Sequence, residues 1–457
     1  MKYIAIDIGS SFVKSAVLDL DACAIAAEKK FPSPPRAPSD NSRHFEVPAG
    51  RYVDMARKLV DDYAVRFDDI AGILLATQMH GFVYATPGRE DRYVSWQDLR
   101  CLDPMREGGP SYMQHLAEMF PPDEMTRAGV YIKPSLGLCN LYALLGGDSS
   151  LPKNGTLFTI GSYIINSLVG ANVCHLSNAA PLGMVDVVDS VWNRPLLEKA
   201  GLGEVALPEL AAKDFQVCGV MRSGGRDIPV HPDFGDQQAS ILGCLPEAND
   251  AVINIATGAQ VVMPMDAFRP GPYEVRPYFE KRYINTISNM PAGRGLDVLV
   301  NFIRQAATAA VGKDVPAEAV WRAVHDGFVL DPKGLSVDTC FYPVPSQLNG
   351  GSVSGISPSN LDLSSLFSAA FTDMARMYWE NIQTLAGDAP VARLVCSGGV
   401  SWKNPELLTA IRRTTGKECV LSPIPDESMS GLFRAALVAS GRCANLRDKP
   451  ELKLKRG

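Results

Sequence analysis

The chain has 457 residues, 21% charged and 46% hydrophobic, which is enough for two large domains and a substantial core. Its net charge of −6 gives no electrostatic reason to expect nucleic acid or an anionic membrane as a partner. Ten scattered cysteines form no Cys-x-x-Cys pair, and no apolar stretch reaches the roughly 18 residues of a membrane span. The N-terminus runs straight into β-like sequence with no charged-then-apolar leader. Free thiols in a reducing compartment are therefore expected, with a cytoplasmic location.

Residues 1–20 read as two strands around Gly9-Ser10-Ser11. An apolar strand entering Asp7-x-Gly-Ser-Ser suits a tight hairpin whose N–H groups face an anion. The same pattern also describes an ordinary hairpin with an edge aspartate. Residues 32–38 form a proline-rich loop. A helix is expected from about Tyr52, with Leu59, Val60, Tyr63 and Phe67 at helical spacing. A buried-type strand follows from Ile70 to Ala76, and this strand–helix–strand alternation predicts an α/β architecture. Gln78-Met79-His80-Gly81 comes next, where ligand contacts often sit in open α/β sheets. The competing reading of His80 is a satisfied structural histidine. Trp96-Gln97-Asp98-Leu99-Arg100 gathers an aromatic face, an amide, a carboxylate and a guanidinium, a set suited to polyol recognition. Its alternative is a surface loop with an internal Asp98–Arg100 pair.

The second aspartate turn, Phe234-Gly235-Asp236-Gln237-Gln238-Ala239-Ser240, opens a helical stretch, which suits an acid near a positive helix end. Residues 251–262 repeat the order strand, small-residue turn, strand, with Thr257-Gly258 in the turn. Two related domains are expected, 1–245 and 246–457, each offering one turn to a shared phosphate chain. Leu363 to Ala386 reads as a long amphipathic helix, and Arg393 to Cys396 as a strand ending at Ser397-Gly398-Gly399. Asn404 is expected to cap a helix with Pro405 at its first position. Glu427 to Gly441 reads as the last major helix, and the charged segment Arg442–Gly457 is expected to fray.

Taken in this order, the motifs resemble those of the FGGY carbohydrate kinases, within the actin/Hsp70/hexokinase superfamily. The resemblance covers nearly the whole chain. The Ile4–Lys14 segment is similar to the family's first phosphate motif, and Gly235-Asp236-Gln237-Gln238-Ala239-Ser240 to its catalytic signature. Gln78-Met79-His80-Gly81, Trp96-Gln97-Asp98-x-Arg100-Cys101 and Ser177-Asn178-Ala179-Ala180 through Trp192 resemble the xylulokinase and sedoheptulokinase branches. Thr257-Gly258-Ala259-Gln260 stands where the second phosphate motif belongs, and Ser397-Gly398-Gly399 to Asn404 where the adenosine motif belongs.

The resemblance implies two actin-like ATPase (ribonuclease H-like) domains with a cleft between them. It implies transfer of a phosphoryl group from ATP, with Mg²⁺, to a small sugar, expected to be sedoheptulose or xylulose. Asp236 would be the base that accepts the hydroxyl proton, with Asp233 as a minor alternative. The sugar would meet Gln78, Met79, His80, Trp96, Asp98, Arg100, Asp236 and Gln237. Asp7, with Asp236, would anchor the metal. Gly9, Ser10, Ser11, Thr257 and Gly258 would hold phosphates, and Gly398, Gly399 and Asn404 the adenosine. Lys14 either faces solvent or approaches phosphate. No nucleic acid or membrane partner is expected, and the chain is expected to be a monomer or homodimer. Two features depart from the family. Residues 343–351 lack a Gly-Glu-Arg-x-Pro loop, and Pro229 and Pro232 interrupt the strand before the catalytic turn. They leave a second reading, a catalytically degenerate sugar- and ATP-binding regulatory protein.

Overall fold

The structure, a computed structural model, describes residues 1–342 and 350–448 together with a backbone strand at Lys455–Arg456. Residues 343–349 of the expected departure loop, and 449–454 and 457 of the expected tail, lie outside the described residues. Contrary to the expected fraying, Lys455–Arg456 pairs in parallel with residues 24–25 at a sheet edge.

The first half of the chain builds a sheet from β1 (Lys2–Ile8), β2 (Phe12–Asp19) and β3 (Ala24–Pro32). Helix α1 (Gly50–Arg66) leads to β4 (Ile70–Thr77); much later come β5 (Gly219–Ser223) and β6 (Arg226–Gly235). The strand order is β5-β6-β4-β1-β2-β3, closed by the C-terminal strand. β1 pairs antiparallel with β2 and parallel with β4. Six of the seven residues of β1 are buried, as expected for a central strand covered on both faces. The prolines do not break β6. The His231-Pro232 step falls in a register irregularity against β4, so the missing donor costs no ladder bond there.

Helix α2 (Asp236–Cys244) starts directly from β6. The second sheet then forms from β7 (Ala251–Ile255), β8 (Ala259–Met265), β9 (Glu274–Tyr278) and β10 (Arg282–Met290). Helices α3 (Gly293–Val311), α4 (Ala317–Gly327) and α5 (Leu363–Ala386) cover it, and β11 (Arg393–Ser397) follows. Helix α6 (Pro405–Thr415), β12 (Glu418–Leu421) and α7 (Glu427–Ala439) complete the chain's larger elements. Strand order is β9-β10-β8-β7-β11-β12. β7 is antiparallel to β8 and parallel to β11, repeating the relation of β1 to β2 and β4. The echo read between residues 3–18 and 251–262 is therefore also an equivalence of position in the two sheets.

A buried cluster containing Leu74 and Ala76 of the first sheet and Val252, Val262 and Val395 of the second wraps α2 and α7. These helices cross at two glycines. A Cβ on Gly243 would lie 1.8 Å from the Glu427 carbonyl oxygen, and one on Gly431 1.8 Å from that of Ala239. Only hydrogen fits at the crossing, and the close approach locks the two sheets around the helix that begins with Asp236. Residues 82–205 add a lobe with its own core, built around Phe82, Leu116, Leu138 and Leu182.

Candidate active site

Both carboxylates named from the sequence sit at strand ends facing the region between the sheets. Asp7 is near the C-terminal end of β1 and is buried. Its Oδ2 accepts from Ser428 Oγ at 2.6 Å and lies 3.3 Å from Lys14 Nζ. Its Oδ1 is buried with no hydrogen-bond partner among the described residues. Burial pushes the Asp7 carboxyl up, against the charge of Lys14 and the Ser428 hydrogen bond. The Lys14 side chain is half-buried. It reaches the start of α7, 3.2 Å from Asp426 Oδ1.

Asp236 is the first residue of α2. Its Oδ1 accepts from the Gln237 N–H at 2.8 Å, and no side chain among the described residues donates to it. Burial, reinforced by the like charge of Asp7, pushes its carboxyl up to about 7. That leaves a free, partly ionised carboxylate at neutral pH. Asp233, three residues earlier, is also raised by burial but differs in its hydrogen bonding. Its Oδ2 accepts from Thr159 Oγ1 at 2.7 Å and Asn178 Nδ2 at 2.6 Å, and its Oδ1 from the His175 N–H at 3.0 Å. Both oxygens are taken in a fully buried position. Asp233 is a core anchor, and the Ser177-Asn178 turn is its partner; Ser177 Oγ also accepts the Gly235 N–H at 3.0 Å.

The Gln78-Met79-His80 turn closes on the same place. A Cβ on Gly235 would sit 2.7 Å from Met79 Sδ, so this turn abuts the Gly235-Asp236 step. Gln78 donates its backbone N–H to Ile8 O at 2.9 Å and its Nε2 to Tyr52 Oη at 3.3 Å. His80 turns the chain with a positive φ of 67°.

Two residues expected to meet the sugar do not offer their groups to it. Asp98 is 0% exposed. Arg100 donates to it from backbone N, Nε and Nη2 at 2.8–2.9 Å, and the Phe45 N–H donates at 2.6 Å. Arg100 also donates to Glu46 at 2.6 Å. The alternative reading of an internal pair describes this geometry, but buried rather than on the surface. The reason is tertiary: the Phe45 N–H and Glu46 come from a distant segment that the motif does not contain. Trp96 keeps an accessible face, at 38%.

The turns named as phosphate holders are open. Ser10, Ser11, Thr257 and Gly258 are exposed, and a Cβ on Gly258 would meet nothing nearer than Met290 O at 3.8 Å. Thr257, Gly399 and Asn404 share a cavity of ≈ 830 Å³ with Ala256, Val400 and Trp321. Asn404 does not cap α6 with its side chain. Its Nδ2 turns back to Val400 O at 2.8 Å, leaving Oδ1 buried and unpartnered in the cavity wall. Gly398 has a φ of 83°, and a Cβ there would lie 2.5 Å from Ile255 O, so no larger residue could take the position.

Sequence reasoning missed several neighbours. Arg276 donates to Gln237 Oε1 at 2.6 Å, and Gln237 Nε2 donates to Gln260 Oε1 at 3.0 Å. Glu274 and Lys133 complete this group. Burial alone would push Glu274 up, but the charges of Arg276 and Lys133 hold it well below the usual carboxylate range. The only sequence signal was two opposite charges two residues apart in an otherwise apolar strand, which a solvated edge would also produce.

Two similar sheets, a carboxylate without side-chain donors at the start of the helix between them, and open small-residue turns come together in this fold. The model of the FGGY family of carbohydrate kinases, N-terminal domain, matches residues 2–243, and the chain belongs to that family. Sedoheptulokinase from Mus musculus is 25% identical over 95% of this chain and 96% of its own length, and that from Homo sapiens 25% over 97% and 98%. Xylulose kinase from Rhodospirillum rubrum superposes with a TM-score of 0.85 at 17% identity, covering 98% of this chain and 91% of that one. The fold is thus the two-domain actin-like ATPase fold, and the chain is an ATP-dependent sugar phosphotransferase. No helix among the described residues is long and apolar enough to cross a membrane.

Proposed function

We propose that the acceptor is a ketose, sedoheptulose first and xylulose second, and that Asp236 is the base. The observation that carries the proposal is the Asp236 carboxylate, free of side-chain donors beside the Met79-His80 turn. The extent of similarity to the sedoheptulokinases supports the choice of sugar. A sugar hydroxyl is a weak nucleophile at neutral pH. A carboxylate titrating near 7 can take its proton as the bond to phosphorus forms. Met79, His80, Gln237 and the exposed face of Trp96 line the acceptor side, while Gln78 supports the turn.

The turns at 9–11 and 257–258 supply backbone N–H groups and hydroxyls for the phosphates. The ≈ 830 Å³ cavity takes the purine, and Asn404 Oδ1 offers it an acceptor. The donor set suits Mg²⁺, which uses one or two carboxylates and keeps waters and phosphate oxygens. Asp7 Oδ1 is a buried carboxylate oxygen without a partner, and Asp236 is the second acid. Such a metal would neutralise charge on the phosphates. The two halves, divided near residue 245, would close to exclude water that would otherwise accept the phosphoryl group. Ten free cysteines fit a cytoplasmic location.

ADP release measured with ATP, Mg²⁺ and a panel of pentuloses, hexuloses, heptuloses, polyols and glycerol tests this. Strong stimulation by sedoheptulose or xylulose is expected. Preference for glycerol, with inert ketoses, would overturn the choice of acceptor. ADP release that no sugar stimulates would favour the regulatory alternative.

A further inference from the structure

Strand β9 places Glu274 and Arg276 on one face, because side chains two apart in a strand point the same way. The strand belongs to the second sheet, yet both side chains reach the first half of the chain. Arg276 is 4% exposed. Its Nη1 donates to Gln237 Oε1 at 2.6 Å, and its Nη2 lies 3.2 Å from His80 Nε2. Its Nε donates to Glu274 Oε2 at 3.1 Å, and Lys133 pairs with the other Glu274 oxygen. The backbone is anchored too. The Val275 N–H donates to Gly129 O at 2.9 Å, and Tyr131 Oη to Tyr273 O at 2.8 Å. The guanidinium is therefore held in place before any ligand arrives.

An arginine has only donors and stays charged in proteins, so His80 Nε2 must be the acceptor. The ring is then neutral, with its proton on Nδ1. Burial, then the charges of Lys133 and Arg276, hold His80 well below the usual histidine range, while Glu274 opposes them. Gln237 is oriented by the same guanidinium. With Oε1 facing Arg276, its Nε2 must point to Gln260 Oε1 at 3.0 Å and Thr286 Oγ1 at 3.1 Å.

We propose that Arg276 is a positioning residue of the sugar site, supplied by the second half of the chain. It sets the tautomer of His80 and the orientation of the Gln237 amide, immediately beside Asp236. Sugar-binding geometry then depends on contact between the two halves at this end of the cleft. The inference rests on the reading of the Asp236 cleft as the sugar site. Lysine at this position would restore the charge but could not serve Glu274, Gln237 and His80 from one rigid fork.

The test compares Arg276→Met and Arg276→Lys with wild type, using the ketose on which wild type is most active. Arg276→Met should raise the ketose KM by about 20-fold or more and the ATP KM by less than about threefold. Arg276→Lys should recover only part of the loss. A ketose KM within about twofold of wild type, or equal rises for both substrates, would overturn the proposal. Full rescue by lysine would also overturn it, since charge alone would then suffice. Nitrogen-15 NMR of histidine-labelled wild type needs no variant to fold and no substrate, with His80 assigned through His80→Gln. It should show His80 neutral with Nε2 unprotonated. A proton on Nε2, or an imidazolium at pH 7, would refute the tautomer assignment. If wild type used no ketose while the NMR result held, the acceptor assignment would fail and the Arg276 contact would stand.

Discussion

Replacing Asp98 with alanine should unfold the protein more readily rather than blunt its affinity for sugar. The Asp98 side chain is 0% exposed and that of Arg100 6%. Asp98 accepts three hydrogen bonds from Arg100 and one from the Phe45 N–H. Removing one partner of a buried ion pair costs about 3–5 kcal/mol, because the other charge stays desolvated. Arg100 keeps Glu46 at 2.6 Å, which favours the lower end of that range. The orphaned Phe45 N–H adds about 1 kcal/mol or more. A total near 4 kcal/mol follows. With unfolding entropy of about 2.1 cal/mol/K per residue and a cooperative unit of roughly 240 residues, the transition should fall by about 8 °C. Differential scanning calorimetry reads that shift. Steady-state kinetics at 25 °C on the folded variant should give sugar and ATP KM values within about twofold of wild type. A melting temperature within about 2 °C of wild type, with a sugar KM raised tenfold or more, would refute the structural role. The carboxylate would then be binding substrate.

Asp236→Asn keeps the shape but cannot take a proton, so kcat should fall about 10²- to 10⁴-fold with the sugar KM little changed; retention of most of kcat would remove Asp236 as the base. The Asp236 carboxyl is raised to about 7 and the base must be ionised, so kcat/KM for the sugar should rise tenfold per pH unit below 7 and level off above it. An acid limb centred below pH 5 would contradict that environment. Gly431→Ala puts a methyl 1.8 Å from Ala239 O and must spread the α2–α7 crossing, costing about 3 kcal/mol or more in urea unfolding. An unchanged midpoint would mean that the crossing is looser than described. Asn404→Ala should raise the ATP KM about 3- to 10-fold and leave the sugar KM alone, since Oδ1 is the unpartnered acceptor in the wall of the cavity proposed for the purine. A change confined to the sugar KM would misplace the nucleotide.

Much of the framework was legible in the chain because it is local. The apolar run through Ile4–Ile8 into Gly9, and its counterpart Ala251–Ile255 into Thr257-Gly258, are hairpins dictated by strand and turn chemistry. The Gly235-Asp236 step was readable as a strand-to-helix junction for the same reason, and Leu363–Ala386 as a helix from its periodicity. Which of two nearby aspartates remained free was not local. Thr159, His175 and Asn178 arrive from elsewhere to claim Asp233, while none comes to Asp236. The fate of Asp98 was likewise decided by Phe45 and Glu46, more than fifty residues away. Arg276 lies about 200 residues from His80, and nothing in Glu274-Val275-Arg276 reveals that its partners come from the first half of the chain. Residue type and spacing therefore determined the elements and the chemistry on offer. Burial and long-range partners, set only when two sheets packed around α2 and α7, decided which of those groups stayed available to a substrate.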